Sequence, residues 1–392
     1  TGSGKTYSAG ALVEELTKFN VPVIVFQPTK PEWERMSQPN AQEDEITALP
    51  GYGLSPHPFN VKTYSFDRNW AVTFGGVLSA PSFRLRFSLR EAGGQASSSA
   101  AVLSEIQHLN IELSEFGRQV LVAELDRLNA TQSSLPDPWE INDLMNSLVA
   151  ARNRPGLQTW QQTGLDRLIE QLRYVDSLSL YRHSGRCLGS PTCSIGCGTP
   201  QGQMGLVTDL AQLVQLGQIS VIRFLGLSIE ETEIAAYLVL SRLRRLKEER
   251  GIPNFIMCYE EAQMFTRPER AAETSSGSML RFFALQGRFF GVGVGLISQK
   301  PSLLDPTITS QAHTYVLGSM RGEDDLSWTR RTLENVTQNI TNIVRDQLSN
   351  TTKLVFAPGF PMAIVVESRP RESTHGGHTL PLFPPEQSKA RR

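Results

Sequence analysis

Short continuous apolar runs alternate along this chain with longer stretches in which apolar residues recur at helical spacing. The runs at 21–26, 219–225, 254–259 and 291–298 read as buried strands, because a strand covered on both faces loses the polar alternation of a half-exposed one. Helical periodicity covers 9–19, 101–128, 139–150, 159–176, 229–249 and 326–347, and runs at 353–356 and 363–366 read as closing strands. This strand–helix alternation predicts an α/β fold with a mainly parallel sheet. The stretch 51–87 is rich in β and loop signals, and 92–101, with its glycines and consecutive serines, reads as a flexible connector. Between these and the run at 219–225 the pattern is helical, which predicts an inserted α-helical bundle. The expected organisation is a first part of the core at 1–90, a helical insertion with a cysteine-containing loop at 91–204, a second part of the core at 205–370, and a tail at 371–392. The tail is expected to be mobile from 378 onward, where it is proline-rich with a basic end.

Composition narrows the class. With 392 residues, 40% hydrophobic and 20% charged, the chain is an ordinary globular one with enough length for a substantial core. Its longest apolar stretch, 289–297, includes three glycines and falls far short of the ~20 residues that span a bilayer, so no membrane association is expected. Thirty-eight basic against 39 acidic residues give a net charge of -1, so any contact with nucleic acid has to be local. Four unevenly spaced cysteines favour a reducing, cytoplasmic setting over a secreted disulfide framework, with Cys258 expected in the core. The chain opens on Thr-Gly-Ser-Gly-Lys-Thr without an initiator Met, and reads as beginning inside a motif, truncated before its first glycine.

That motif is the end of a phosphate-binding loop, G-x-x-x-x-G-K-[ST], here Thr1, Gly2, Ser3, Gly4, Lys5 and Thr6, followed by a helical run as the motif demands. Successive backbone N–H groups and the positive end of the helix cradle phosphate oxygens. Lys5 is expected to reach the β/γ-phosphates of ATP and the Thr6 hydroxyl to ligate Mg²⁺. The run at 254–259 ends in Glu260-Glu261-Ala262, the Walker B pattern of a buried strand that delivers carboxylates at its C-terminal end. Glu260 is expected to hold the Mg²⁺ shell through water and Glu261 to act as general base; an acidic start to a following helix is the alternative. Gln299, after the run at 291–298, could orient the lytic water or sense the γ-phosphate. Arg288 could stabilise transition-state charge, in cis or across a subunit boundary, with Arg321 as second choice.

In order and spacing, Thr-Gly-Ser-Gly-Lys-Thr, Glu260-Glu261-Ala262, Gly287-Arg288-Phe-Phe-Gly-Val-Gly, Ser298-Gln299-Lys300-Pro301-Ser302 and Ser310-Gln311-Ala312-His313-Thr314 resemble the HerA family of the HerA/FtsK superfamily of P-loop NTPases. The segment 217–227 and the late Ser373-Thr374-His375-Gly376-Gly377 are also similar. The resemblance covers most of 1–60 and 205–378. It implies a RecA-like motor ATPase, a homo-hexameric ring that translocates or unwinds double-stranded DNA with a NurA-like nuclease or another effector, in DNA end processing or defence. Carried over, Lys5 and Thr6 match Walker A, Glu260 and Glu261 Walker B, Gln299 the sensor glutamine and Arg288 the arginine of the Gly-Arg motif. The sequence departs from the family at Gln263, where His is frequent, at Phe289 for Lys, at Lys300 for Arg, and at Gln27-Pro28 for Asp-Pro.

Inside the insertion His183, Cys187, Cys193 and Cys197 could hold a structural zinc, but their spacing is not that of paired C-x₂-C knuckles, and free thiols in a loop are the default reading. Two further functions share the motifs. A type IV secretion or conjugation ATPase has a similar core, and a nucleotide-gated module would use ATP to switch assembly without steady translocation.

Overall fold

The computed structural model of the chain describes residues 4–66, 72–74, 77–79, 83–85, 87, 99–109, 111–131, 139–178, 180–181, 205–207, 209–266, 275–333, 338–360 and 362–375. Helix α1 (Lys5–Lys18) leads to β1 (Val23–Gln27), a short α2 (Glu43–Ala48) and β2 (Asn60–Ser65). The hairpin strands β3 (Val72–Phe74) and β4 (Val77–Ser79) precede β5 (Phe83–Leu85). Four helices follow: α3 (Ser99–His108), α4 (Glu115–Thr131), α5 (Ile141–Arg152) and α6 (Thr159–Ser177). The chain returns through β6 (Gly205–Val207), β7 (Gln218–Arg223), α7 (Ile229–Arg250), β8 (Phe255–Tyr259), α8 (Ser275–Phe290) and β9 (Val292–Leu296). It closes with α9 (Pro306–Thr309), β10 (Tyr315–Leu317), α10 (Glu323–Thr332), α11 (Gln338–Asn342), β11 (Thr352–Phe356) and β12 (Ile364–Glu367).

Seven strands form one sheet in the order β6-β5-β2-β7-β1-β8-β9, and every pairing in it is parallel. The fully buried runs of β1 and β7 occupy its middle, which is why they lack alternation. One face packs on α1 through Val13, Val23, Val25, Ile219, Val221 and Cys258. The other carries an aromatic cluster, Phe26 stacked on Tyr259 at 4.4 Å with Phe224 and Phe265 around it. This second core runs without interruption into the inserted helices, since Leu121, Leu125, Trp139 and Leu172 belong to the same buried cluster as Ile222 and Phe224. The insertion is therefore a cover for the sheet. It leaves and re-enters the sheet through the paired strands β5 and β6.

Several expectations need correction. The pattern at 101–128 is broken: α3 ends at His108, and α4 begins where Ser114 Oγ accepts the Gly117 N–H (3.0 Å). Buried Leu109 and Ile111 carry the apolar spacing across this break. The pattern at 326–347 likewise divides into α10, α11 and one π-helical turn at Ile343–Gln347. Strands β11 and β12 do not close the main sheet. They form a separate antiparallel sheet, β10-β11-β12, over a small core with Leu326, Trp328 and Val344.

Residues 371–375, expected in the tail, are instead part of the core region. Glu14 of α1 is 0% exposed, and its carboxylate accepts hydrogen bonds from Arg371 Nε (2.7 Å), Arg369 Nη1 (3.0 Å), Ser373 Oγ (2.6 Å) and the Ser373 N–H (3.1 Å). Burial works against its charge, but Arg371 and these donors win and hold its pKa below the ordinary 4.5. Gly10 leaves room for this guanidinium, since a Cβ there would lie 2.0 Å from Arg371 Nη1 and push it aside. Glu14→Ala would strand a buried guanidinium, and it is expected to cost about 3–5 kcal/mol in a denaturant-unfolding experiment, the range for breaking a buried ion pair. A loss below ~1 kcal/mol would show that the 368–375 segment is not held by this network.

Candidate functional site

The site lies where the strands end and α1 begins. Gly4 has φ 64°, a left-handed conformation that suits glycine, and Lys5 starts the helix behind it. The first turn of α1 directs backbone N–H groups and the positive helix end toward this corner. No side chain fits at Gly4, where a Cβ would come 2.0 Å from the Asn350 carbonyl oxygen. Lys5 is half-buried; burial lowers its pKa, and the carboxylates of Glu261 and Asp325 pull it back up. Thr6, on the same first turn, is also half-buried. Thr1, Gly2 and Ser3 lie outside the described residues.

The hydrogen-bond ladder of β8 and β9 continues beyond both strands, with Ile297 N–H donating to Tyr259 O and Ala262 N–H to Ile297 O (2.9 Å each). Glu260 and Glu261 thereby emerge beside Ser298 and Gln299. Glu261 has φ 45°, a strained value for a residue with a side chain, which the surrounding bonds maintain. Gln299 Nε2 donates to its Oε1 and Gln263 Nε2 to its Oε2, each at 2.6 Å. Ser298 Oγ in turn donates to Gln263 Oε1 at 2.7 Å. A carboxylate gripped on both oxygens by fixed amides is oriented to accept a proton from water near Lys5.

Glu260 has a different environment. It is 5% exposed, and its Oε2 is buried without a hydrogen-bond partner. Burial first, then the nearby charges of Glu32 and Glu261, push its pKa up to about 8. A buried carboxylate oxygen without a partner, beside a second carboxylate, Glu32, suits a hard cation such as Mg²⁺, which keeps most of its ligands as water and phosphate. Among the described residues no group of three or more His, Cys, Asp or Glu is placed to hold a metal. The four zinc candidates, His183, Cys187, Cys193 and Cys197, lie outside the described residues.

Gly4, Lys5, Thr6, Glu260, Glu261 and Gln299 thus share one corner of the fold, whereas Arg288 does not. Arg288 is exposed in the last turn of α8, before β9, whereas the site lies after it. A strand rises about 3.3 Å per residue, so the five residues of β9 put roughly 17 Å between that arginine and its own site. Arg321 is exposed four positions before Asp325. Sequence reading missed Asp325, whose Oδ1 accepts from the Ser302 N–H and Oγ, and it missed Glu32 and the clamping role of Gln263. Gln27 is scaffold: buried, it accepts the Trp33 N–H (3.2 Å) and donates to Glu34 (3.3 Å).

No family model matches the chain. It is 30% identical over 122 residues to "Probable helicase MJECL08" of Methanocaldococcus jannaschii, covering 31% of this chain and 23% of that protein. It is 24% identical over 163 residues to "Probable DNA double-strand break repair helicase HerA" of the same organism, covering 34% of this chain and 32% of that one. Over about a third of its length, the chain is thus similar to HerA-type helicases of the HerA/FtsK superfamily of P-loop NTPases. In fold the chain is similar to VirB4 of Thermoanaerobacter pseudethanolicus, with a TM-score of 0.55 and 14% identity over 94% of this chain and 86% of that one. The two curated relatives are matched over 23% and 32% of their own length, a third or less. No helix among the described residues is long and apolar enough to cross a membrane.

The pKa of Glu260 has a measurable consequence. A carboxyl raised in the fold from 4.5 to about 8 keeps its proton where the unfolded chain has lost it. Its contribution to stability is complete below about pH 4.5 and disappears as pH rises through about 8. Glu260→Gln is therefore expected to raise the melting temperature of the nucleotide-free protein at pH 8.5, by stabilisation on the order of a few kcal/mol, and to change it little at pH 5. Equal shifts at both pH values would mean that Glu260 is ionised throughout.

Proposed function

We propose that this chain is the motor domain of an ATP-hydrolysing ring that translocates or unwinds double-stranded DNA together with a nuclease or other effector, in DNA end processing or defence. The observation that carries the reading is Glu261, held on both oxygens by Gln299 and Gln263 beside Lys5. Lys5 and the first N–H groups of α1 bind the phosphate chain. Thr6 and Glu260 are the residues that would hold Mg²⁺, which neutralises phosphate charge when bound. Glu261 takes the proton of the attacking water as its oxygen bonds to the γ-phosphorus. The bond from that phosphorus to the β,γ-bridging oxygen breaks, and the electron pair leaves with ADP. Gln299 touches the base, so the same side chain can report the γ-phosphate to it.

Arg288 supports assembly in this scheme. Being too far to serve its own site, it acts on a neighbour's nucleotide if it acts at all, and a closed homo-hexamer supplies every site with one such arginine. A ring also multiplies the few basic side chains that a chain of net charge -1 offers to one duplex. The fold is shared with VirB4, so DNA stimulation of turnover, which fold likeness does not supply, separates a DNA motor from a secretion ATPase or a nucleotide-gated module.

Phosphate release with and without duplex DNA is the test. Lys5→Ala is expected to abolish turnover, and Glu261→Gln to leave ATP bound while slowing hydrolysis by roughly 10²–10⁴-fold. Wild-type turnover should rise with protein concentration and with DNA, and Arg288→Ala should lower it without weakening ATP binding. A concentration-independent, DNA-independent rate from a monomer sinks the ring-motor reading.

A further inference from the structure

Against the phosphate corner stands a second lysine. Lys353 lies in β11 and, unlike a surface lysine, is only 2% exposed. Its Nζ donates to the carbonyl oxygens of Asn350 (2.6 Å) and Thr352 (3.3 Å). The same ammonium is 3.3 Å from the point a Cβ would occupy on Gly4, the residue that opens α1. The turn that carries it, 349–352, presses the Asn350 carbonyl onto that glycine and is braced by the Ser349, Thr351 and Thr352 hydroxyls.

An ammonium in this position faces three opposing influences. It is buried, it meets the positive end of α1, and it feels the charge of Lys5; burial and Lys5 both lower its pKa. Main-chain carbonyls offset this only in part, because they carry no net charge. A polyanion at the helix terminus reverses the balance: helix end, Lys5 and Lys353 would then all face negative oxygens. The turn itself does not need the ammonium to hold its shape, since hydroxyl bonds at Ser349 and Thr352 already close it.

Resting on the P-loop reading of Lys5, we propose that Lys353 is a further phosphate-binding residue, which reaches from the small antiparallel sheet to the phosphate chain of a nucleoside triphosphate held at residues 4–6. The sheet β10-β11-β12 and α10, which brings Asp325 into the field of Lys5, thereby form the second wall of the nucleotide site.

The test compares the full chain with Lys353→Gln, which keeps a donor for Asn350 without the charge, and with Thr352→Val, which disturbs the turn and keeps the charge. The probes are adenosine 5′-(β,γ-imido)triphosphate with Mg²⁺, and inorganic tripolyphosphate, measured by calorimetry. Lys353→Gln is expected to weaken both probes by roughly tenfold or more, the loss of one charge-assisted contact, and to flatten the salt dependence of binding. Its nucleotide-free melting temperature should not fall, and Thr352→Val should bind within about twofold of the parent. Parent-like affinity in Lys353→Gln, or an equal loss in Thr352→Val, overturns the proposal. Lys5→Ala, measured alongside, separates the two readings. If it loses the probes while Lys353→Gln keeps them, only the role of Lys353 fails; if the parent chain binds neither probe, the P-loop reading fails and this one with it.

Discussion

Beyond Tyr259 the parallel ladder of β8 and β9 gains two more main-chain bonds, and the chemistry of the site depends on them. They fix Glu261 next to Gln299 even though 38 positions separate the two in the chain. A slip of one residue in this pairing would turn one strand's side chains to the opposite face and break the amide–carboxylate contact. Gly287 and Gly291 protect the register from the other end. A Cβ at Gly287 would lie 2.5 Å from the Val292 carbonyl oxygen, and Gly291 turns the chain into β9 with φ 67°.

Around this ladder the layers are joined by buried arginine–carboxylate pairs. Arg371 and Glu14 join the C-terminal segment to α1, Arg223 and Glu34 join β7 to the loop after β1, and Arg242 and Glu105 join α7 to the first inserted helix. Tyr181 adds a hydroxyl to Glu105 at 2.8 Å. Such pairs contribute little net stability, because desolvation consumes much of their attraction, but a mispacked layer would leave a charge buried alone. Here each pair spans two layers, so the arrangement of sheet, insertion and C-terminal segment is specified by charges that would otherwise be buried uncompensated.

The two Walker B carboxylates show how neighbouring residues acquire different roles. Glu261 receives two amide donors, one on each carboxylate oxygen. Glu260, one residue earlier and on the buried side, has an oxygen without a partner and a pKa near 8. In the proposed function a cation held at Glu260 would have to displace a proton near neutral pH, so metal and proton would compete there. That competition would link the site to pH without involving the proposed base.

Sequence alone determined the parallel α/β class and singled out most of the residues that the fold gathers at one corner, because Lys5, Glu260, Glu261 and Gln299 each stand next to a local pattern: a glycine before a helix, or a polar residue ending a buried apolar run. Local period also placed α1, α5, α6, α7 and four of the seven main-sheet strands, β1, β7, β8 and β9, to within a few residues, but not β2, β5 or β6. It merged α3 with α4, since Leu109 and Ile111 preserve the apolar spacing through the break. What only the tertiary structure decided are contacts between residues far apart in the chain. The Glu14–Arg371 pair spans 357 positions, Gly4 meets Asn350 from the far end of the chain, and Asp325 and Lys353 come near Lys5 from a lobe whose strands belong to another sheet. Hydrophobic period reports which face of an element is buried, not what it is buried against. The partner of a charge is set by packing, and only the folded chain contains it.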